Sequence, residues 1–216
     1  MDNKILKHFQ KVDPILYQVY LQLGSQELMT THAPPDHFAA LCREIIGQQL
    51  STKVASVIFD RFKNLFPQNK ITAKYLLGLK HEALRSIGMS NSKVKFLKDL
   101  SEKVENKEIS FERLAKLDDK RVIEELVKVK GIGPWTAEMF LIFSLKREDV
   151  FSHGDLGLKN AIKKIYGLTY AAKDEIENII IKWSPYKSYA CRILWKSLNN
   201  SPITLGISSA KSDELK

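Results

Sequence analysis

Apolar side chains recur at helical spacing along almost the whole of this chain, and no stretch alternates apolar and polar residues long enough to build a sheet. The pattern predicts an all-α protein of about ten helices joined by short connections. Asp36, Ser51 and Asp118 stand just ahead of periodic stretches, where a short oxygen-bearing side chain takes up the free N–H groups of a helix start. Gly24, Pro67, Gly88 and Gly167 stand where helices should stop. The segment 29–35 reads as a connection with two prolines, and residues 199–216 lose periodicity and read as a tail.

At 216 residues the chain is long enough for one large domain or two small lobes with a real core. A hydrophobic content of 44 % excludes a disordered chain, and no apolar run approaches the roughly 18 residues of a membrane span. The N-terminus MDNKILKHFQKVDP lacks the features of a secretory signal. Two cysteines, Cys42 and Cys191, are too few for a disulfide framework or a four-thiolate cluster, so reduced thiols inside a cell are expected. The net charge of +9 favours a polyanionic partner, all the more because the lysines are spread along the chain. Nothing calls for a membrane partner or an oligomer, and a monomer is expected.

The stretch 126–158 carries most of the chemistry. Within Lys128-Val129-Lys130-Gly131-Ile132-Gly133-Pro134-Trp135-Thr136, two glycines permit positive φ and a close approach by another backbone, and Pro134 suits the first turn of a helix. Free N–H groups at such a hairpin suit a phosphate, with Lys128 and Lys130 adding charge beside them. Contact with backbone phosphate gives affinity without sequence preference. The bland reading is a tight turn between helices, which the glycines alone would favour; the full string reverses that balance. The helix over 135–144 is apolar all round and is expected to be buried on every side, Glu138 being its one charged residue. Asp155 opens the next helix. Capping is its ordinary role, and helix-start amides stabilise an ionised carboxylate, which can face an oxocarbenium-like transition state or orient a water.

The string GIGPWTAEMFLIF followed by DVFSHGDLGL resembles the signature of the helix-hairpin-helix DNA glycosylase superfamily, and most of all its 3-methyladenine DNA glycosylase II branch. IIGQQLS at 45–51, LRSIGMSNSK at 84–93 and PYKSYA at 185–190 match as well, so the resemblance spans roughly residues 36–198. It implies two helical lobes with the active-site cleft between them and a base flipped out of double-stranded, damaged DNA. The expected division is residues 1–35 packing with the C-terminal lobe, a central lobe over 36–137 with the hairpin motif at about 119–144, a C-terminal lobe over 138–198, and the tail. Residue by residue, it implies Asp155 as the catalytic carboxylate. Trp135, Trp195 and Leu156 would line the base pocket, and Gln48 and Gln49 would fill the gap left by the flipped base. Lys128, Lys130, Gly131, Gly133 and Thr136 would hold the DNA backbone. Main-chain carbonyls of Val127, Val129 and Ile132 would hold a structural Na⁺ or K⁺.

Departures from the family pattern also inform. Trp135 stands where strand-cutting relatives carry a lysine, which implies a monofunctional enzyme that releases an alkylated purine of the 3-methyladenine or 7-methylguanine type and leaves an abasic site. No cofactor and no iron–sulfur cluster are expected. No residue of the sequence stands out as a general acid, which suits leaving groups already carrying positive charge. The alternatives are a bifunctional glycosylase/lyase acting on other damaged bases and a helix-hairpin-helix DNA-binding module without catalysis. Base excision repair would place the protein inside the cell, in the cytoplasm or nucleoid of a prokaryote or the nucleus of a eukaryote.

Overall fold

Side chains that accept the backbone N–H three residues further on start eight of the helices among the described residues, from Asp13, Asp36, Ser51 and Thr72 to Ser90, Ser110, Asp118 and Asp155. The structure is a computed structural model and describes residues 3–24, 36–168 and 173–199. Among these there is no strand, and no helix is long and apolar enough to cross a membrane. The expected connection at 29–35 and most of the expected tail lie outside the described residues.

The chain divides into two compact units. The first joins Met1–Thr30 to His153–Lys216. Its helices are α1 (Asn3–Val12), α2 (Pro14–Gln22), α11 (Leu156–Tyr166), α12 (Lys173–Ile180) and α13 (Lys187–Asn199). Phe9, Leu16, Val19, Ile162, Trp183 and Leu194 are fully buried in it. The second unit, Thr31–Ser152, holds α3 (His37–Gly47), α4 (Thr52–Lys63), α5 (Ala73–Gly78), α6 (His81–Ser86), α7 (Asn91–Glu105), α8 (Phe111–Leu114), α9 (Asp119–Leu126) and α10 (Pro134–Met139). Leu41, Ile45, Phe62, Leu76, Leu97 and Leu126 are fully buried there, with α7 packed against α3, α5 and α6.

Thirteen α-helices are thus present among the described residues, more than the ten or so expected, and four of them, α5, α6, α8 and α10, are only four to six residues long. The boundary between the units falls after Ser152, not after residue 137. The reason lies in the apolar run after the hairpin, which packs within the second unit: Phe140 meets His37 at the start of α3 and Phe111 at the start of α8.

That run also departs from the uniform, buried helix expected over 135–144. α10 ends at Met139, and Phe140–Ser144 continues as a π-helical turn. Ala137, Met139, Phe140, Leu141 and Ile142 are buried, but Trp135 is 42 % and Phe143 46 % exposed. The run has one wet face. Ser144 ends it, with its hydroxyl 2.8 Å from Nδ1 of His37.

Candidate active site and nucleic-acid interface

In the first unit the chemistry gathers at the start of α11. Asp155 lies just outside the helix, and its Oδ1 accepts the N–H of Leu158 at 2.8 Å. Its Oδ2 accepts from the indole Nε1 of Trp195 on α13 at 3.3 Å. The carboxylate is therefore held from two sides, by a helix start and by an aromatic donor, while remaining half-buried. Gly157 gives it room: a Cβ there would lie 3.0 Å from Oδ1. Leu156, next in the chain, is 72 % exposed, an unusual position for a large apolar side chain. Trp183 differs from Trp195 in being fully buried, with its Nε1 donating to Asp13 Oδ2 at 2.7 Å.

In the second unit the hairpin between α9 and α10 separates the two glycines by role. Gly131 adopts φ +82°, and a Cβ there would fall 2.1 Å from the Phe96 ring. Gly133 has φ −94° and open space around the position of a Cβ. Only Gly131 uses the left-handed region, so Gly133 contributes clearance rather than conformational freedom. The two lysines carry less free charge than the sequence suggested. Lys128 Nζ is 2.6 Å from Glu125, and Lys130 Nζ is 3.2 Å from Asp99, whose other oxygen accepts the Lys130 N–H at 2.9 Å. The Thr136 side chain is buried, and its hydroxyl lies 3.4 Å from Nε2 of Gln48 in a neighbouring loop.

That loop follows α3, and its two glutamines part company. Gln48 Nε2 donates to the carbonyl of Gly131 at 2.7 Å, which ties the loop to the hairpin. Gln49 is exposed and held at φ +59°. From α7, Lys93 Nζ donates to the carbonyls of Ile46 at 2.7 Å and Gln48 at 2.8 Å, capping the end of α3. Beside the loop, within the same unit, opens a cavity of about 820 Å³. Trp135, Thr136, Met139 and Phe143 line it from one side and Arg43, Glu44, Gln48 and Gln49 from another. Its size suits a small organic ligand. A smaller recess of about 510 Å³ beside α5, lined by Thr72, Lys74, Tyr75, Gly78 and Leu79, has no acidic group.

Glu44 is the residue that sequence reasoning missed. Burial pushes its carboxyl up from the ordinary glutamate range, with the charge of Arg43 pulling the other way. The signal was present, an acidic residue one step before the buried pair Ile45-Ile46, but the amphipathic pattern of α3 gave no reason to separate it from a solvated face.

The chain matches the model of the HhH-GPD superfamily of base excision DNA repair proteins over residues 42–185. The chain belongs to that superfamily. It is 33 % identical over 166 residues to DNA-3-methyladenine glycosylase 1 of Schizosaccharomyces pombe, covering 74 % of this chain and 72 % of the relative. As a superfamily member it also resembles solved structures. The 3-methyladenine DNA glycosylase of Schizosaccharomyces pombe in complex with abasic DNA superposes with a TM-score of 0.77 at 28 % identity, covering 94 % of this chain and all (100 %) of that one. A DNA-3-methyladenine glycosidase from Bacillus halodurans superposes at 0.75 with 36 % identity, covering 91 % and 89 % of the two chains.

Proposed function

We propose that this protein is a monofunctional DNA glycosylase of base excision repair that hydrolyses the N-glycosidic bond of alkylated purines in duplex DNA and leaves an abasic site. Its relatives and structural neighbours include DNA-3-methyladenine glycosylases, among them one solved in complex with abasic DNA, and the net charge of +9 suits that partner. The narrower assignment, a type II enzyme that takes both 3-methyladenine and 7-methylguanine, is part of the proposal. The observation that carries the catalytic reading is Asp155, a carboxylate fixed by the Leu158 N–H and the Trp195 indole beside a half-exposed surface.

In this reading the C1′–N bond of a cationic purine breaks with its electron pair leaving on the base. The Asp155 carboxylate stabilises the positive charge that develops on the sugar and orients the water that adds to C1′. Trp195 holds the carboxylate and offers an indole face to the cationic base. Leu156 adds apolar contact beside it. Trp135 supplies no amine, so the bond is broken by water and not by a Schiff base. The clearance at Gly133 admits a DNA phosphate to the hairpin, with Lys128 and Lys130 able to exchange carboxylate partners for it. Gln49, and not Gln48, fills the gap left by the flipped base, because Gln48 is committed to the Gly131 carbonyl. The carbonyls of Val127, Val129 and Ile132, along the hairpin that follows α9, are uncharged hard oxygens of the kind that hold Na⁺ or K⁺. That of Val129 already accepts the Ile132 N–H at 3.1 Å and keeps a second lone pair.

Asp155→Asn tests the reading directly. Asparagine still caps a helix, so the melting transition should stay near that of the wild type. Release of 7-methylguanine from a single-lesion duplex should fall by at least about 100-fold. Release that persists at the wild-type rate would remove Asp155 from catalysis. Borohydride trapping of a covalent protein–DNA adduct would count against the monofunctional assignment.

A further inference from the structure

Within the second unit, the loop after α3 is gripped at Gln48 from two directions. Its side chain reaches the hairpin, where Nε2 donates to the Gly131 carbonyl at 2.7 Å and lies 3.4 Å from the buried Thr136 hydroxyl. Its main-chain carbonyl accepts from Lys93 Nζ of α7 at 2.8 Å, and its N–H closes α3 on the Glu44 carbonyl at 3.2 Å. The hairpin end of the link is fixed as well. Gly131 takes φ +82°, and the Phe96 ring of α7 leaves no space for a Cβ there, so packing against α7 sets where its carbonyl points.

The residue that this grip controls is the next one. Gln49 is exposed and sits at φ +59°, a region that a residue with a Cβ enters only at a cost. The Leu50 N–H closes the turn on the Gly47 carbonyl at 3.1 Å, and Ser51 starts α4 directly afterwards. A left-handed glutamine persists where its surroundings over-determine it, and such strain concentrates at functional positions. The amide of Gln48 supplies that constraint from the hairpin, 83 positions away in the chain.

We propose that Gln48 is a positioning residue for base release: its amide, anchored on the hairpin, holds Gln49 in the left-handed conformation from which that side chain enters the gap left by the flipped base. The inference rests on the reading given above of the hairpin as a DNA-backbone contact and of Gln49 as the gap filler. Gln48 acts through Gln49 and not on the base. With the link in place, the backbone anchor and the inserting side chain form one pre-organised piece. Binding at the hairpin is then spent on unstacking the base rather than on ordering the loop.

A double-mutant cycle on the full chain tests this, using Gln48→Met, which keeps the length of the side chain without its donor, Gln49→Ala, and the two together. Single-turnover release of 7-methylguanine from a single-lesion duplex is measured at saturating protein, beside the affinity for an undamaged duplex of the same sequence. Gln49→Ala and Gln48→Met should each slow release at least about tenfold, the effect of a misplaced or missing group. The double variant should release base within about twofold of Gln49→Ala, because Gln48 has nothing to act on once that side chain is gone. Affinity of Gln48→Met for the undamaged duplex should stay within about twofold of the wild type, since the hairpin keeps its own phosphate contacts.

Losses that multiply in the double variant would give Gln48 a role of its own and overturn the proposal, as would release by Gln48→Met at the wild-type rate. Equal losses of release and of duplex affinity in Gln48→Met would make it a prop of the hairpin alone, which also overturns it. If Gln48→Met fails to fold, Gln48→Asn, one methylene too short for the Gly131 carbonyl, takes its place in the cycle; failure of both makes Gln48 a folding residue and overturns the proposal. Full release by Gln49→Ala removes the gap filler, and the proposal with it, while leaving the glycosylase reading intact. No release by the wild type overturns that reading itself.

Discussion

At the scale of single residues, the two hairpin glycines answer different demands and should fail differently. Gly131 needs both its positive φ and the absence of a Cβ, since that atom would sit 2.1 Å from Cδ2 of Phe96. Gly131→Ala should therefore cost on the order of 3 kcal/mol, from left-handed strain together with overpacking, and should appear as a lower denaturant midpoint. Gly133 has neither constraint: its φ is −94° and nothing lies within 4 Å of a Cβ position. Gly133→Ala should melt within about 0.5 kcal/mol of the wild type. It should nevertheless bind an undamaged duplex several-fold more weakly, because the new methyl occupies the space through which a phosphate approaches. A Gly133→Ala protein that binds duplex as tightly as the wild type would end the case for the hairpin as a phosphate site. The contrast separates folding from binding at positions two residues apart.

Among the elements, α7 acts as a stop for two others. Lys93 Nζ donates to the last carbonyls of α3, and Lys98 Nζ donates to those of Leu76, Leu77 and Leu79 at the end of α5, at 2.7 to 2.8 Å. Burial lowers the pKa of both lysines, the mark of ammonium groups drawn in from water. Lys93→Met and Lys98→Met should each cost about 2 kcal/mol through carbonyls left unpaired. Only Lys93 also sets the loop that presents Gln49. Base release from duplex should therefore drop several-fold further in Lys93→Met than in Lys98→Met at equal stability, and equal drops would show that the loop needs no such brace. The same elements show what the sequence could convey. Caps act over three residues, so Asp36, Ser51, Asp118 and Asp155 could be read directly. The carbonyls that Lys93 meets lie 47 and 45 positions away, and the Gln48–Gly131 bond spans 83, so no local pattern reports them. For the same reason the apolar run after Pro134 looked buried all round: composition cannot show that Trp135 and Phe143 border a cavity.

On the scale of the molecule, the second unit is inserted into the chain of the first, so the first must close from ends that are far apart in sequence. One carboxylate does much of this. Asp13 caps α2 through the Leu16 N–H at 3.0 Å, and its Oδ2 accepts from both the Tyr166 hydroxyl at the end of α11 and Trp183 Nε1. These two partners lie 153 and 170 positions further on. Burial first, and then the charge of Asp13, push the Tyr166 hydroxyl far above the ordinary tyrosine range, so it stays a donor at any working pH. Asp13→Ala would leave a buried indole N–H and a phenol without their acceptor and α2 without its cap. The expected cost is on the order of 3 kcal/mol. Hydrogen exchange should locate that loss: amides of α1, α2, α11 and α13 should lose protection together, while those of α5 and α7 in the other unit keep theirs. Base release should weaken as well, because the α11 start and the α13 indole that hold Asp155 belong to the loosened unit. If protection falls equally in both units, Asp13 is not a local staple and the two units unfold as one.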